Sequence, residues 1–395
     1  MKERNFKQLY SRFLAANPFE LHFAAHSHHF WPDISREAQL QAWDDAARFN
    51  DNKWEHIFSD IVPRMQKTIA QILGLSHPAQ IALAPNTHDL LLRIFSACEA
   101  NGPLKILTTD SEFHSFGRQL KRWEEEKTIV ATRLKGDELL TNRQQWLQHA
   151  QSEIANGDYH VVFISQVFFN SGLALTESEL EFIFAQAPKK TILVVDGYHG
   201  FAAIPTNLAK LEGRIFYLGG GYKYAQAGEG VGFLVVPQGD WRPVITGWFA
   251  EFAQLSQSHP GAVPYSKDGM AFWGATLDPS GWYRFLAVWD QWERLGETVS
   301  TMHTYVQSLQ LNFLQLLDSE GHQLQSLKAL LDPQLLAHGH FLTWEAPSEA
   351  SASKVRATLV KKGIYIDQRG PRLRFGFGVY HDLEDVKLLH KKISF

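Results

Sequence analysis

Two stretches gather the side chains able to do chemistry. "TILVVDGYHG" ends an apolar run on Asp196, with His199 close behind, and "YLGGGYKYAQAGEG" sets Lys223 between Tyr222 and Tyr224 with glycines on both sides. A lysine amine becomes a nucleophile only after losing its proton, and a dry, aromatic-walled setting promotes that by disfavouring the ammonium. Tyr222 and Tyr224 are expected to supply such walls, and the glycines to let a planar ligand approach the backbone closely. A strand-terminal carboxylate has three common uses: metal ligand, ribose or base contact, or partner of a ring nitrogen. No second acidic ligand follows Asp196 nearby, which favours the last. The lysine loop is not a phosphate-binding nucleotide loop, because GxxxxGK[ST] needs Ser or Thr where Tyr224 stands, and no GxGxxG opens a helix here. The "HSHH" run at His26, His28 and His29 invites a metal, but no HExxH or second cluster at ligand spacing accompanies it, so a polar loop beside a site is expected and no metal.

The elements must bring these stretches to one place. In open α/β sheets, ligands lie beyond the carboxyl ends of the strands. "IALAP", "LKILTT", "TIVATRL", "HVVFIS", "TILVVD", "IFYLGG" and "VGFLVVP" are strand-sized and rich in Ile, Val and Phe. Between several of them lie helical stretches such as "HDLLLRIFSACEA", "HSFGRQLKRWEEE" and "ESELEFIFAQA". The alternation predicts an α/β domain with a mostly parallel, doubly covered sheet over about residues 55–280. From about residue 283 the texture changes to long amphipathic helix, then "HFLTWEA", "SKVRATLVKKG", "RLRFGFGVY" and "DLEDVKLLHKK", which predicts a small α+β domain packed on the first with a cleft between them.

Composition limits the partners. The 395 residues are 45% apolar and 20% charged, with a net charge of −4, so the chain reads as soluble and has no basic field for nucleic acid or membrane. No apolar run approaches the roughly 18 residues of a membrane helix, and "MKERNFKQLY" lacks the apolar stretch of a secretory signal. A cytoplasmic protein with small-molecule partners is expected. The single cysteine, Cys98, lies in an apolar helical stripe; it excludes an internal disulfide and is expected to be a buried, inert thiol.

An acidic strand end followed, one strand later, by an aromatic-flanked lysine is what pyridoxal 5'-phosphate (PLP) chemistry requires. The lysine holds the aldehyde as a Schiff base, and the carboxylate keeps the pyridine nitrogen protonated so that the ring absorbs carbanion charge. "VVDGYHGFAAIP" with "YLGGGYKYAQAGEGVGFLVVP" resembles the Asp-x-x-His and Ser/Gly-Tyr-Lys-Tyr blocks of the class V aminotransferase superfamily of PLP-dependent enzymes, closest to kynureninase, and the likeness extends over most of the chain.

The resemblance implies the PLP-dependent transferase fold type I. That fold has a large PLP-binding α/β domain, residues 50–282, with a mostly parallel seven-stranded sheet, and a small C-terminal α+β domain, residues 283–395, joined by an N-terminal segment, residues 1–49. It also implies further site residues. Asn86 and Thr87 match phosphate contacts at a helix start, with a plain helix cap as the other reading. Phe113 matches the aromatic that stacks on the cofactor, His114 being its competitor, and Ser165 matches a cofactor-contacting serine. His199 falls near the ring hydroxyl or phosphate. Trp248 in "TGWFAEF" and Thr276 in "FWGAT" match residues donated by the neighbouring subunit, which implies a homodimer with the active site at the subunit interface.

Arg374 in "RLRFGFG" stands where the family holds the substrate α-carboxylate, with Arg372 on the same strand face and Arg369 a third candidate. "HFAAHSHHFWP" resembles the family's entry loop and puts Ser27 and His28 at the substrate end. Two departures stand in or near the pocket. "RFNDNKWEHIF" keeps Trp54 but lacks the histidine that reads an aromatic substrate, and Phe116 stands where an acidic residue is expected. Cysteine desulfurases need a mobile cysteine late in the chain, and none follows Cys98. The implied activity is kynureninase-like Cβ–Cγ hydrolysis of a kynurenine-type amino acid. The alternative is a class V aminotransferase or another amino-acid lyase, and a cofactor-free binding protein on the same scaffold is least favoured.

Overall fold

The computed structural model describes residues 5–254, 261–320 and 323–393. Runs of Ile, Val, Leu and Phe form strands because such side chains fill a pleated, buried surface. In chain order the strands are β1 (Leu21–Phe23), β2 (Ile81–Ala84), β3 (Leu104–Thr109), β4 (Ile129–Leu134), β5 (Val161–Ser165), β6 (Ile192–Asp196), β7 (Ile215–Gly220), β8 (Gly232–Val235), β9 (Lys328–Ala329), β10 (Phe341–Glu345), β11 (Ile364–Arg369) and β12 (Arg372–Gly376).

Seven of them build one sheet in the order β2-β8-β7-β6-β5-β3-β4. Only β8 runs against its neighbours, pairing antiparallel with β2 and β7, while the pairs from β7 through β6, β5 and β3 to β4 are parallel. β2, β5, β7 and β8 are buried at every residue, as continuous apolar runs must be when both sheet faces are covered. The expected α/β class and mostly parallel seven-stranded sheet are present. Parallel register aligns the strand ends: Ser165 lies opposite Asp196, and Asp196 opposite Leu218, so the chain leaving β7 delivers Lys223 to the same edge.

The second sheet has the order β1-β11-β12-β10-β9. β1, from the N-terminal stretch, pairs parallel with β11, and the remaining pairs are antiparallel. The same stretch continues into the helix Ile34–Phe49, which packs on the helix Ser280–Arg294, where the Tyr283 hydroxyl donates to Asp45 at 3.0 Å. The amphipathic stretch expected after residue 283 is two helices, Ser280–Arg294 and Val299–Glu320, separated where Gly296 takes a φ of 71°. Among the described residues no helix is long and apolar enough to cross a membrane, and no group of three or more His, Cys, Asp or Glu is placed to hold a metal ion.

Candidate active site

At the carboxyl edge of the large sheet lies a cavity of about 450 Å³, within the range of roughly 300–1,000 Å³ usual for small-molecule sites. Lys223, Asp196, His199, Ser165, Phe113 and Tyr222 all line it. Asn86 and Thr87 join them from the start of the helix Thr87–Ser96, Ser27 from the loop after β1, and Arg374 from β12.

Lys223 sits three residues past the end of β7. Its amine lies 5.1 Å from the centre of the Tyr198 ring and 5.3 Å from that of Phe113, so these rings, not the flanking tyrosines, wall it. Tyr224 points into the core, edge-on to His340, and Tyr222 stacks on His28. One of the glycines serves this arrangement directly: a Cβ on Gly220 would lie 2.6 Å from the Tyr198 ring, so only glycine lets that ring lie against the strand end.

Lys223 is 8% exposed, and its Nζ lies 2.5 Å from His199 Nε2. Burial pushes the amine down to about 7, with Asp196 opposing the shift. Burial also pushes the Asp196 carboxyl up, opposed by the Tyr198 N–H and by Lys223, and holds the His199 ring well below its usual range, with Lys223 adding to the effect. A neutral His199 therefore shares a hydrogen bond with the lysine amine, its direction set by the ring's tautomer. Among the described residues the Asp196 carboxylate takes one hydrogen bond, from the Tyr198 N–H at 2.9 Å.

At the helix start, Asn86 is the N-cap, its Oδ1 accepting from Asp89 N–H at 3.0 Å, while Thr87 opens the first turn. The capping reading thus holds for Asn86 even as it lines the cavity, and the free N–H groups of the first turn stand beside it. His114 does not line the cavity; it packs edge-on to Phe169 at 4.9 Å and leaves the lining position to Phe113. Phe116 stacks on Phe163 at 3.8 Å inside the core. No acidic residue takes the place of Phe116 in the lining; the nearest carboxyl in sequence, Glu112, which sequence reasoning missed, bonds Thr109 and Ser165 instead.

Arg374 is 1% exposed and already well engaged. Its Nε donates to Asp367 Oδ2 at 2.9 Å, Nη2 donates to the same oxygen, and Nη1 donates to the Phe169 carbonyl at 2.7 Å. Arg369 also lines the cavity, whereas Arg372 does not: it is held by Glu345 at 2.9 Å and Asp137 at 2.7 Å. His28 is likewise not in the lining. The chain turns at Ala24, whose carbonyl accepts from both Ser27 and His28 N–H, so His26 and Ser27 face the cavity while His28 goes to Tyr222. Trp248, 46% exposed, and Thr276, also exposed, lie outside the lining of this chain's cavity. Trp54 stands with Phe58 and Phe249, and Cys98 lies elsewhere, its thiol donating to the Ile94 carbonyl and pushed up to about 12 by burial.

No family model matches the chain. Over 197 residues it is 28% identical to isopenicillin N epimerase of Streptomyces clavuligerus, an alignment covering 47% of this chain and 46% of that protein, so the likeness spans about half of that relative's length. Among solved structures it is similar to a lysine-to-alanine variant of C-DES with glycine covalently linked to the PLP cofactor (TM-score 0.80, 16% identity, 99% of each chain). It is similar as well to the cystine C–S lyase C-DES with its product cysteine persulfide (TM-score 0.78, 17% identity, 96% of this chain and 98% of that one). The apo cysteine desulfurase of Thermococcus onnurineus NA1 gives a TM-score of 0.74 at 18% identity, over 94% of this chain and 93% of that one. At such identities the likeness is one of fold, and the fold of this chain is theirs.

Proposed function

We propose that the protein is a PLP-dependent enzyme acting on an amino acid, with Lys223 as the residue that carries the cofactor. The observation behind this reading is a buried amine, shifted down to about 7, that shares one cavity with a half-buried carboxylate at the neighbouring strand end. The residues fit that group. Asp196 has room for a protonated ring nitrogen, because its carboxylate takes only the Tyr198 N–H among the described residues. Phe113 offers a ring face, and the helix start at Asn86 and Thr87 offers N–H groups for a phosphate. When bound, PLP supplies an electron sink for charge developing at the substrate's α-carbon.

The chain's own side chains do the rest. Lys223, partly neutral near pH 7, is able to take a proton, and the hydrogen bond it shares with His199 orients its amine. Asp196 holds positive charge at the base of the cavity, and the Tyr198 and Phe113 rings keep water from the amine. Arg374, fixed by Asp367, and Arg369 offer guanidinium groups to a carboxylate.

For the reaction, the aromatic lining of Phe113, Phe169, Tyr198 and Tyr222 supports kynureninase-like Cβ–Cγ hydrolysis of a kynurenine-type amino acid. The likeness to C-DES supports a second reading, a class V lyase or aminotransferase. Persulfide chemistry on a protein cysteine is disfavoured, because Cys98 lies outside the cavity. Trp248 and Thr276, exposed on their own chain, fit a homodimer in which each copy completes the other's site.

The test is chemical. Added PLP should give a visible absorbance band that borohydride abolishes while fixing the cofactor to the peptide bearing Lys223. A Lys223→Ala variant fixed at the same peptide sinks the assignment. Kynurenine, 3-hydroxykynurenine, cystine and cysteine, scored for alanine, aromatic amine, keto acid and persulfide, then decide between the two reactions.

A further inference from the structure

Glu112 is a half-buried carboxyl that the chemistry above does not use. It lies between β3 and the helix His114–Glu125, behind the cavity rather than in its lining. Its oxygens are claimed by neighbours. Oε1 accepts from the Thr109 hydroxyl at 2.6 Å and from the Ser165 N–H at 3.3 Å, and Oε2 accepts from the Ser165 hydroxyl at 2.5 Å. Thr109 Oγ1 in turn accepts from the Ser111 N–H at 3.1 Å, which closes the loop onto the strand end. Ser165 itself lines the cavity, directly opposite Asp196 in the sheet register.

A serine hydroxyl has one proton and two lone pairs. With that proton committed to Glu112, Ser165 has only lone pairs left for the cavity. Burial, with Asp196 adding, pushes the Glu112 carboxyl up to about 7 while its three donors pull the other way, so above neutral pH the carboxylate form keeps the serine proton.

We propose that Glu112 is a positioning residue that fixes Ser165 as a hydrogen-bond acceptor, so that the atom of cofactor or substrate meeting Ser165 must carry a hydrogen. The identity of that ligand rests on the function proposed above; the pairing of Glu112 with Ser165 does not. Glu112→Gln keeps the shape and reverses the polarity: the amide donates to Ser165 Oγ, and the serine proton turns toward the cavity.

A double-mutant cycle tests this at pH 8 with wild type, Glu112→Gln, Ser165→Ala and the double variant. Two quantities are read: the thermal midpoint of the cofactor-free proteins and their affinity for PLP by absorbance titration. Each single change should weaken PLP binding about tenfold, the worth of one charge-assisted hydrogen bond. The double variant should be no weaker than Ser165→Ala, and the midpoints should be equally non-additive, because Glu112 acts through Ser165. Additive losses in either measurement, or wild-type affinity in Glu112→Gln, overturn the proposal. If Glu112→Gln does not fold, Thr109→Val loosens the same carboxyl and should give a smaller loss, again non-additive with Ser165→Ala; an unchanged affinity there overturns it too. A wild type that binds no PLP while the cofactor-free midpoints stay non-additive refutes the proposed cofactor and supports the pairing.

Discussion

The two ends of the cavity handle buried charge in opposite ways. Around Lys223 and Asp196, ionisable groups come from adjacent strand ends of one sheet and lie buried without a close ion pair, so burial shifts the amine down and the carboxyl up. Around Arg374 the charges arrive from β11 and β12 and satisfy one another: the guanidinium is held by Asp367, whose carboxyl its partners keep well below the usual range even though burial opposes them. Buried groups without a close partner are poised for a ligand, whereas paired ones hold the scaffold in shape. The end at Lys223 is thus left open to a ligand, and the end at Arg374 is largely satisfied already.

Breaking the first end should cost the most function. Lys223→Ala should abolish turnover, a loss of at least about 1,000-fold, measured with whichever amino acid the panel identifies. Asp196→Ala should lower turnover far more than PLP affinity, because the carboxylate acts on charge that develops during the reaction; an equal loss in both would show it to be only a binding contact.

Breaking the second end should cost stability first, and with it the proposed grip of Arg374 on a carboxylate. Asp367→Ala leaves Arg374 as a buried, uncompensated cation and should cost about 3–5 kcal/mol in denaturant unfolding. Exchanging Lys223 for methionine, by contrast, removes a buried amine and should leave the cofactor-free protein as stable as wild type or more so. If both variants destabilise alike, the difference between the ends is not real.

Legibility in the sequence followed the same divide. Strand ends are decided locally, by an apolar run and the residue that stops it, and so Asp196, Ser165 and the approach to Lys223 were readable from "TILVVD", "FISQ" and "YLGGGYK". Which side chain turns inward after a strand end depends on tertiary packing. Tyr198 was passed over for Tyr222 and Tyr224 because nothing local says that the ring lies against Gly220. Extended chain would put His26 and His28 on one face, but the turn at Ala24 separates them, leaving His26 and Ser27 at the cavity and His28 on Tyr222. β1 is three residues long and β11 follows a helix across only two residues, Lys362 and Gly363, so neither carries a periodic signal of its own. Asp367 was missed for that reason.

The histidines sharpen the comparison through pH. Burial pushes His22, His26, His29 and His381 down to about 3 and His338 to about 4, so the folded protein keeps them neutral where an unfolded chain protonates them from about pH 6.5 downward. The unfolded state then binds more protons, and stability should fall as pH drops below about 6.5, steeply by pH 4. Glu112 works with the opposite sign. Its carboxyl is raised from 4.5 to about 7, so between those values the folded state holds the extra proton, and its contribution is full below 4.5 and lost as pH rises through 7. Glu112→Gln should therefore lose stability relative to wild type toward pH 4.5 and match its pH slope above about 7. Thermal midpoints of both cofactor-free proteins at half-unit steps from pH 4.5 to 8 read this directly; a constant difference across that range would mean that Glu112 stays ionised throughout and that its three donors outweigh its burial.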